Sequence, residues 1–403
     1  MRKWLFLSNF LFLQAMHDAS SKQNNRGLTE ALLIGWVGVY LIGLVCSKAI
    51  LSVGIVGLAL TAIAYGWRTS WGASDSYRRV KPFLFPVIIF LLTLLSGINS
   101  DNLHVWSQFV AKKAPFLVLP FAFFMARNHF AKRFYDYLLG FVIIVGVVAL
   151  GVIGNYILNF DDLNQAIGKG QSITTPIDHA EFSIYIAFAA ICSLFMYLED
   201  KRVIRLASQT TLLLTAIFLT IVLHILAVRS GLAVFYSVLL FVGGYHFYST
   251  QRYKLLLGFM VGIFLFPMIA IKTIPSLNKK MSYAKWDINQ YKKGQGLNYS
   301  DSERIFSLQA GWAIFQSSPL IGVGIGDLKE KCQEAYAARQ YPELQHYPHN
   351  QYLFTLAAMG ILGFLLYSIA LLGPLWFTKG IYNPYFISLH AVLFISALSL
   401  IHI

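Results

Sequence analysis

The segment Tyr347-Pro348-His349-Asn350 leads directly into an apolar run that passes through Gly360-Ile361-Leu362-Gly363 and ends at Trp376. Histidine titrates near neutral pH. At a membrane–water boundary its imidazole can meet water-borne and lipid-borne substrates together, as a general base or as an orienting group for a hydroxyl nucleophile. Asn350 or His349 itself can equally cap the helix that begins here, with no chemistry involved. In a continuous helix at about 100° per residue, Gly360 and Gly363 return close to the face of His349. Small residues on that face let another helix approach, so the spacing turns His349 into the bundle.

Arg229 interrupts two apolar runs, shortly before Gly231. An arginine at membrane depth either snorkels from a helix end or faces a cavity and a partner. In the second case its guanidinium can grip phosphate oxygens in a fork. Arg304 follows Asp301-Ser302-Glu303, a helix start with Asp301 or Ser302 as cap. The stripe Ile305, Leu308, Trp312 and Phe315 has helical spacing, and Arg304 borders it. Gly322-Val323-Gly324-Ile325-Gly326-Asp327 lacks the strand–helix setting of a dinucleotide loop and reads as a tight turn. In Asp178-His179-Ala180-Glu181, His179 and Glu181 are supporting acid–base candidates, although helix capping accounts for the same residues.

The elements that position these groups follow from composition. The chain has 403 residues, 57% hydrophobic and 12% charged, with mean hydropathy +0.60. Soluble domains are about a quarter charged, so the chain is polytopic in a membrane. The expected fold class is all-α, a transmembrane bundle of about 11–12 helices, with residues 1–403 forming one integral membrane domain. The predicted spans are Ala31–Cys46, Ile50–Gly66, Phe83–Ile98, Val110–Ala126, Tyr137–Leu158 and Phe182–Leu198. Thr210–Val228, Leu232–Tyr248, Leu255–Ile271, Gln351–Trp376 and Tyr385–Ile401 complete the series. Met1–Met16 is basic and then apolar, short for a span, and reads as cytoplasmic or interfacial. The chain ends at Ile403 just after an apolar run, and a further C-terminal helix is an expectation.

Alternation places Arg68, Arg78, Arg79, Lys81, Arg127, Lys132, Arg133, Lys201, Arg202, Arg205, Arg252, Lys254 and Lys379 on one side with the basic N-terminus. That side is expected to be cytoplasmic. Arg229, the polar segment 272–348 and His349 then fall on the outer side, with the Asn102–Gln108 and Asp161-Asp162 loops. The net charge is +14. Long translocated segments largely escape the positive-inside rule, so the basic excess of 272–348 points to an anionic ligand. Cys46, Cys192 and Cys332 show neither a disulfide framework nor a metal-binding spacing.

Arg229-Ser230-Gly231, the Arg304 helix, Ser318-Pro319-Leu320-Ile321-Gly322-Val323-Gly324 and His349-Asn350 occur in an order that resembles the O-antigen ligase and polymerase superfamily of bacterial envelope enzymes. The ligase-like branch has His, then Asn, Ser or Gln, nine residues, Gly, two residues, and Gly, Thr or Tyr. His349-Asn350, Gly360 and Gly363 satisfy this pattern. The resemblance implies a metal-independent GT-C-type glycosyltransferase of the bacterial inner membrane, with a periplasmic active site. Its donor would be an undecaprenyl-pyrophosphate-linked glycan and its acceptor lipid A–core or another glycan. By position, Arg229 and Arg304 would bind the donor pyrophosphate and His349 would activate or orient the acceptor hydroxyl, with Asn350 in support. Membrane lipids surround it; no cofactor, metal or nucleic-acid partner is expected. The alternatives are a polymerase joining lipid-linked repeat units, a protein oligosaccharyltransferase, or a lipid-linked sugar flippase. A flippase would favour internal repeats and midplane polar sites.

Overall fold

The computed structural model describes residues 26–69, 77–199, 207–297, 299–378, 380 and 383–399, and among these there is helix, turn and coil but no strand. Met1–Met16 and the residues after Ser399 lie outside the described residues. Ten helical stretches are long and apolar enough to cross a membrane, and Pro384–Leu398 is a shorter apolar helix. The predicted spans each fall on one of these. The protein is a polytopic all-α membrane protein.

Helices α1 (Arg26–Cys46) and α2 (Lys48–Thr69) are joined through Ser47 alone. Both run longer than their apolar cores because their ends carry polar residues. Helix α3 (Tyr77–Leu95) follows. The stretch Asn102–Gln108, expected as a loop, is largely helical. Asn102 caps α4 (Leu103–Lys113), its side chain accepting from the Val105 amide at 3.1 Å. At Ala114 the chain passes into α5 (Pro115–Met125), where proline sits in the first turn and its missing N–H costs nothing. Helix α6 (Phe134–Leu158) leads to the short α7 (Phe160–Gly168), whose first turn holds Asp161 and Asp162, favourable at a helix N-terminus.

Helix α8 (His179–Leu198) is the hub, 61% of its span being buried inside the protein. It packs with α6 and with α9 (Gln209–Leu226), α10 (Arg229–Val238) and the last helix over a core that includes Phe182, Ile186, Ile191, Leu219 and Leu223. Helix α10 continues through a π-helical turn at Leu239–Gly243 to Ser249. Lipid gives helices no hydrophobic reason to associate, so close backbone approach matters. A Cβ on Gly231 would strike the Ser183 carbonyl of α8, 2.7 Å away, so only glycine permits this α8–α10 contact.

After α11 (Tyr253–Thr273), the segment 272–348 folds as three helices, α12 (Pro275–Lys292), α13 (Ser300–Ser317) and α14 (Leu328–Ala337). Then come α15 (Gln351–Phe377) and α16 (Pro384–Ser399). A second core joins α13, α14 and the first half of α15 through Phe306, Ala310, Ile314, Leu328, Tyr336 and Phe354. The stripe predicted on α13 lies on the other side of that helix: Leu308 and Trp312 are exposed, and Phe306, Ala310 and Ile314 are the buried set. An apolar stripe in a membrane protein can face lipid as well as core, and spacing alone leaves the two open.

Helix α15 is broken at Gly360 (φ 64°, ψ −168°). The continuous helix assumed from the glycine spacing is absent, so the angular relation between His349 and Gly363 does not hold. The Ser318–Asp327 loop enters the gap. Val323 and Gly324 donate their amides to the Ala357 and Ala358 carbonyls at 3.0 and 2.9 Å. Ile361 and Leu362 donate to Pro319 and Leu320 at 2.9 and 3.3 Å. A break at membrane depth is tolerated only when its freed polar groups are paired in this way. The glycine-rich segment expected as a tight turn is thus a backbone patch on α15. Its far side is anchored by Asn99, which donates to the Gly322 carbonyl at 2.7 Å, and by Asp327, whose carboxylate accepts from Asp101 and Asn102 amides at 2.8 Å each.

Gly360→Ala places a side chain in a backbone region essentially reserved to glycine, a strain of about 1–3 kcal/mol, and drives its Cβ into the Leu320 carbonyl. Gly146→Ala meets nothing within 4 Å. Thermal unfolding of the detergent-solubilised protein is expected to show a lower midpoint for the first variant and an unchanged midpoint for the second.

Candidate active site

The connections at residues 96–102, 159–178, 227–228 and 274–350 meet at one end of the bundle. Ser276 Oγ donates to the Ile225 carbonyl at 2.7 Å and Lys280 Nζ donates to the Gly170 and Gln171 carbonyls at 3.1 and 3.0 Å. Arg229, Arg304 and His349 all stand at this end.

Arg229 begins α10. Helix α9 stops at Leu226 because Ala227 takes a left-handed conformation (φ 53°), and two residues later the next helix starts. The Arg229 side chain is 47% exposed and reaches α13, where Nη2 donates to both Asp301 carboxylate oxygens at 2.6 and 2.8 Å. The pair uses one guanidinium nitrogen. Among the described residues Nε and Nη1 have no partner, so two donor positions remain for a second anion.

Asp301 was expected as a helix cap, with Ser302 as the other choice. Neither caps α13. The helix starts at Ser300, and Asp287 of α12 accepts from its first amides, Asp301 N at 2.8 Å and Ser302 N at 3.3 Å, and from the Ser302 hydroxyl. Asp287 is fully buried. A carboxylate at a helix N-terminus satisfies orphan donors and opposes the dipole. Because Asp287 does this from another helix, the Asp301 side chain is released to hold Arg229.

Arg304 lies one turn beyond Asp301. Burial and then the nearby Arg229 charge hold its pKa below the usual value, opposed by Asp301 and Asp178; arginine remains charged regardless. Lys280 of α12 is a third cation in the group. Burial, followed by Arg229, lowers its pKa, and Arg304 acts in the same direction. Its ammonium also reaches Ser172 Oγ at 3.3 Å, tying the loop before α8 to α12. Like charges repel, so three cations gathered with Asp301 and Asp178 favour a bound anion. Lys280 was not singled out in the sequence because it is one lysine among many; only its three-dimensional neighbours distinguish it.

Among the other predicted residues, His179 sits in this group: Lys280 and Arg304 both act on its imidazole, and its Nδ1 is 3.9 Å from Asp178. Asp178 caps α8, accepting from the Ala180 and Glu181 amides. Glu181 is placed elsewhere, 3.8 Å from Lys48 of α2. Asn350 is the cap of α15, accepting from Leu353 N at 3.0 Å while its amide donates to the Leu398 carbonyl at 3.3 Å.

His349 is half-buried, and its backbone meets α13. Its amide donates to Ser307 Oγ at 3.1 Å, and the α13–α15 packing that brings them together rests on the loop seated at Gly360. Beside it is a residue the sequence reading passed over. His346 Nε2 is 3.4 Å from Glu303 Oε2, and the His346 and His349 rings lie 5.6 Å apart. Two histidines three residues apart were the available signal.

The family model described as O-antigen ligase matches residues 212–368, a stretch that contains Arg229, Arg304, the Ser318–Asp327 loop and His349. Through this segment the chain is similar to the O-antigen ligase family. No curated protein and no solved structure matches the chain. The superfamily match covers the three cation-bearing helices, α10, α12 and α13, together with the histidine-bearing start of α15, and it includes both partners of the Gly360 contact. That family's description indicates an O-antigen ligase- or polymerase-like function.

Asp287→Ala leaves the Asp301 and Ser302 amides without their acceptor, and loss of a cap costs about 1–2 kcal/mol. The expected outcome is a lower thermal midpoint with faster amide hydrogen exchange at residues 301–303. Unchanged exchange there would mean that α13 is held by other contacts.

Proposed function

We propose that the protein transfers a glycan from undecaprenyl pyrophosphate to a lipid A–core acceptor on the periplasmic face of the inner membrane. The observation that carries this reading is the gathering of Arg229, Arg304 and Lys280 around the Asp301 end of α13, with His349 held one turn further along the same helix by Ser307. A pyrophosphate departs readily when cations stabilise the charge that develops on it, and fixed side-chain charges in a partly dry site do this without reorganising. Arg229 offers Nε and Nη1, Arg304 and Lys280 add charge, and Asp301 holds Arg229 in place. His349 then takes the proton of the acceptor hydroxyl, or orients that hydroxyl, as it attacks the anomeric carbon. The polyprenyl tail lies in the membrane and the glycan outside it, which suits a site at the end of the bundle.

Polymerisation, with a second lipid-linked repeat unit as acceptor, uses the same donor chemistry and is the second reading. Arg229→Ala and His349→Ala are each expected to reduce transfer at least about 10²-fold, the scale of removing one stabilising donor or an acid–base group, while thermal midpoints stay near wild type. Full transfer by purified His349→Ala would overturn its role. The deciding assay reconstitutes the chain with a lipid-linked donor and offers lipid A–core in competition with a lipid-linked repeat unit. Product on lipid A–core selects the ligase, and lengthened lipid-linked chains select the polymerase. Because protein cations supply the charge, activity is expected to survive EDTA; loss that magnesium restores would overturn the metal-independent reading.

A further inference from the structure

Helix α13 presents two different faces at this end. At about 100° per residue, Asp301 and Glu303 point about 160° apart, and Arg304 and Ser307 fall between them, about 60° and 120° from Asp301. The first face meets Arg229. The second holds the histidine segment at two successive points: Glu303 Oε2 is 3.4 Å from His346 Nε2, and Ser307 Oγ accepts from the His349 amide at 3.1 Å. His346 is also fixed from behind. Its carbonyl accepts from the Tyr336 hydroxyl at 2.9 Å, and Tyr336 is only 1% exposed. The His346 side chain remains 48% exposed and that of Glu303 23%. This carboxylate–imidazole pair is therefore anchored, accessible, and one ring contact from His349.

The donor chemistry has no use for it. A carboxylate repels pyrophosphate, and Glu303 lies on the face of α13 turned away from the Arg229 contact. Hydroxyl groups are a different matter: a carboxylate accepts their hydrogen bonds and an imidazole can accept or donate. We infer that Glu303 and His346 form a subsite for the acceptor sugar, gripping the hydroxyls next to the one that reacts. The fitting ligand is a neutral, hydroxyl-bearing sugar, since an acidic sugar would meet the Glu303 charge. The inference rests on the reading of His349 as the group that faces the acceptor. In the transfer itself the acceptor oxygen bonds to the anomeric carbon and the carbon–oxygen bond to pyrophosphate breaks. The electron pair leaves with pyrophosphate, and the acceptor proton leaves through His349. Glu303 and His346 bind and exchange nothing.

The test is steady-state transfer by the reconstituted full chain, varying donor and acceptor separately, with whichever of lipid A–core and lipid-linked repeat unit the wild type uses. Charged hydrogen bonds of this kind change affinity by about tenfold or more. Glu303→Gln and His346→Ala are each expected to raise the acceptor KM about tenfold, with donor KM and thermal midpoint at wild-type values. An unchanged acceptor KM in both variants, or a rise in donor KM instead, overturns the subsite. Glu303→Gln conserves volume, so a fall in its midpoint together with kcat would assign the pair to holding the loop and would also overturn it. Absence of any transfer by the wild type would instead overturn the glycosyl-transfer reading itself.

Discussion

The exchange of backbone hydrogen bonds at Gly360 is the constraint on which the rest of this end of the molecule depends. Helix α15 gives up its own rungs there, and the loop after α13 supplies four bonds in their place. Since that loop is the direct continuation of α13, seating it in the gap fixes the far end of α13 against α15. The near end is fixed by Asp287, and Ser307 in between meets the amide of His349. A side chain on α13 and a side chain at the start of α15 thereby acquire a defined relation, although 45 residues of sequence separate Arg304 from His349. Without the break, the two helices would touch through side chains alone, and their register would be free to slide.

Charge is arranged around the same helix. Asp287 neutralises the N-terminus of α13 from outside, so that Asp301 can turn its carboxylate to Arg229. A half-exposed ion pair contributes little stability. What it does here is orient: Arg229 is long and flexible, and two short bonds to one nitrogen aim the remainder of its fork. Lys280 serves the loop before α8 in a comparable way, with bonds to Gly170, Gln171 and Ser172. Arg229 and Lys280 are thus each held in place by bonds to neighbouring elements.

The membrane spans were legible because lipid imposes a minimum apolar length, and a run such as Tyr137–Leu158 has no other use. Arg229 and His349 were legible because each is a polar residue at an apolar boundary. What escaped has a common physical origin. Gly360 read as a small residue on a smooth helix, since nothing in a one-dimensional pattern distinguishes a close approach from a break. Asp287 caps a helix that begins 13 residues later, so local capping rules assigned the work to Asp301 and Ser302 instead. The side that the α13 stripe faces was not legible, because Leu308 and Trp312, exposed here, have the same apolar character as a core face. Glu181 carried the composition of an acid–base candidate, but its side chain went to Lys48.

The two-residue link between α9 and α10 has a consequence of its own. Ala227 and Val228 leave no slack, so the height of Arg229 along the membrane normal is set by α9, which at 18 residues is about 27 Å long. That is slightly short of a typical hydrocarbon thickness of about 30 Å. Bilayers of different thickness tilt or strain such a helix, and here the adjustment is carried straight to the guanidinium. The depth at which Arg229 stands is thus tied to the thickness of the surrounding lipid.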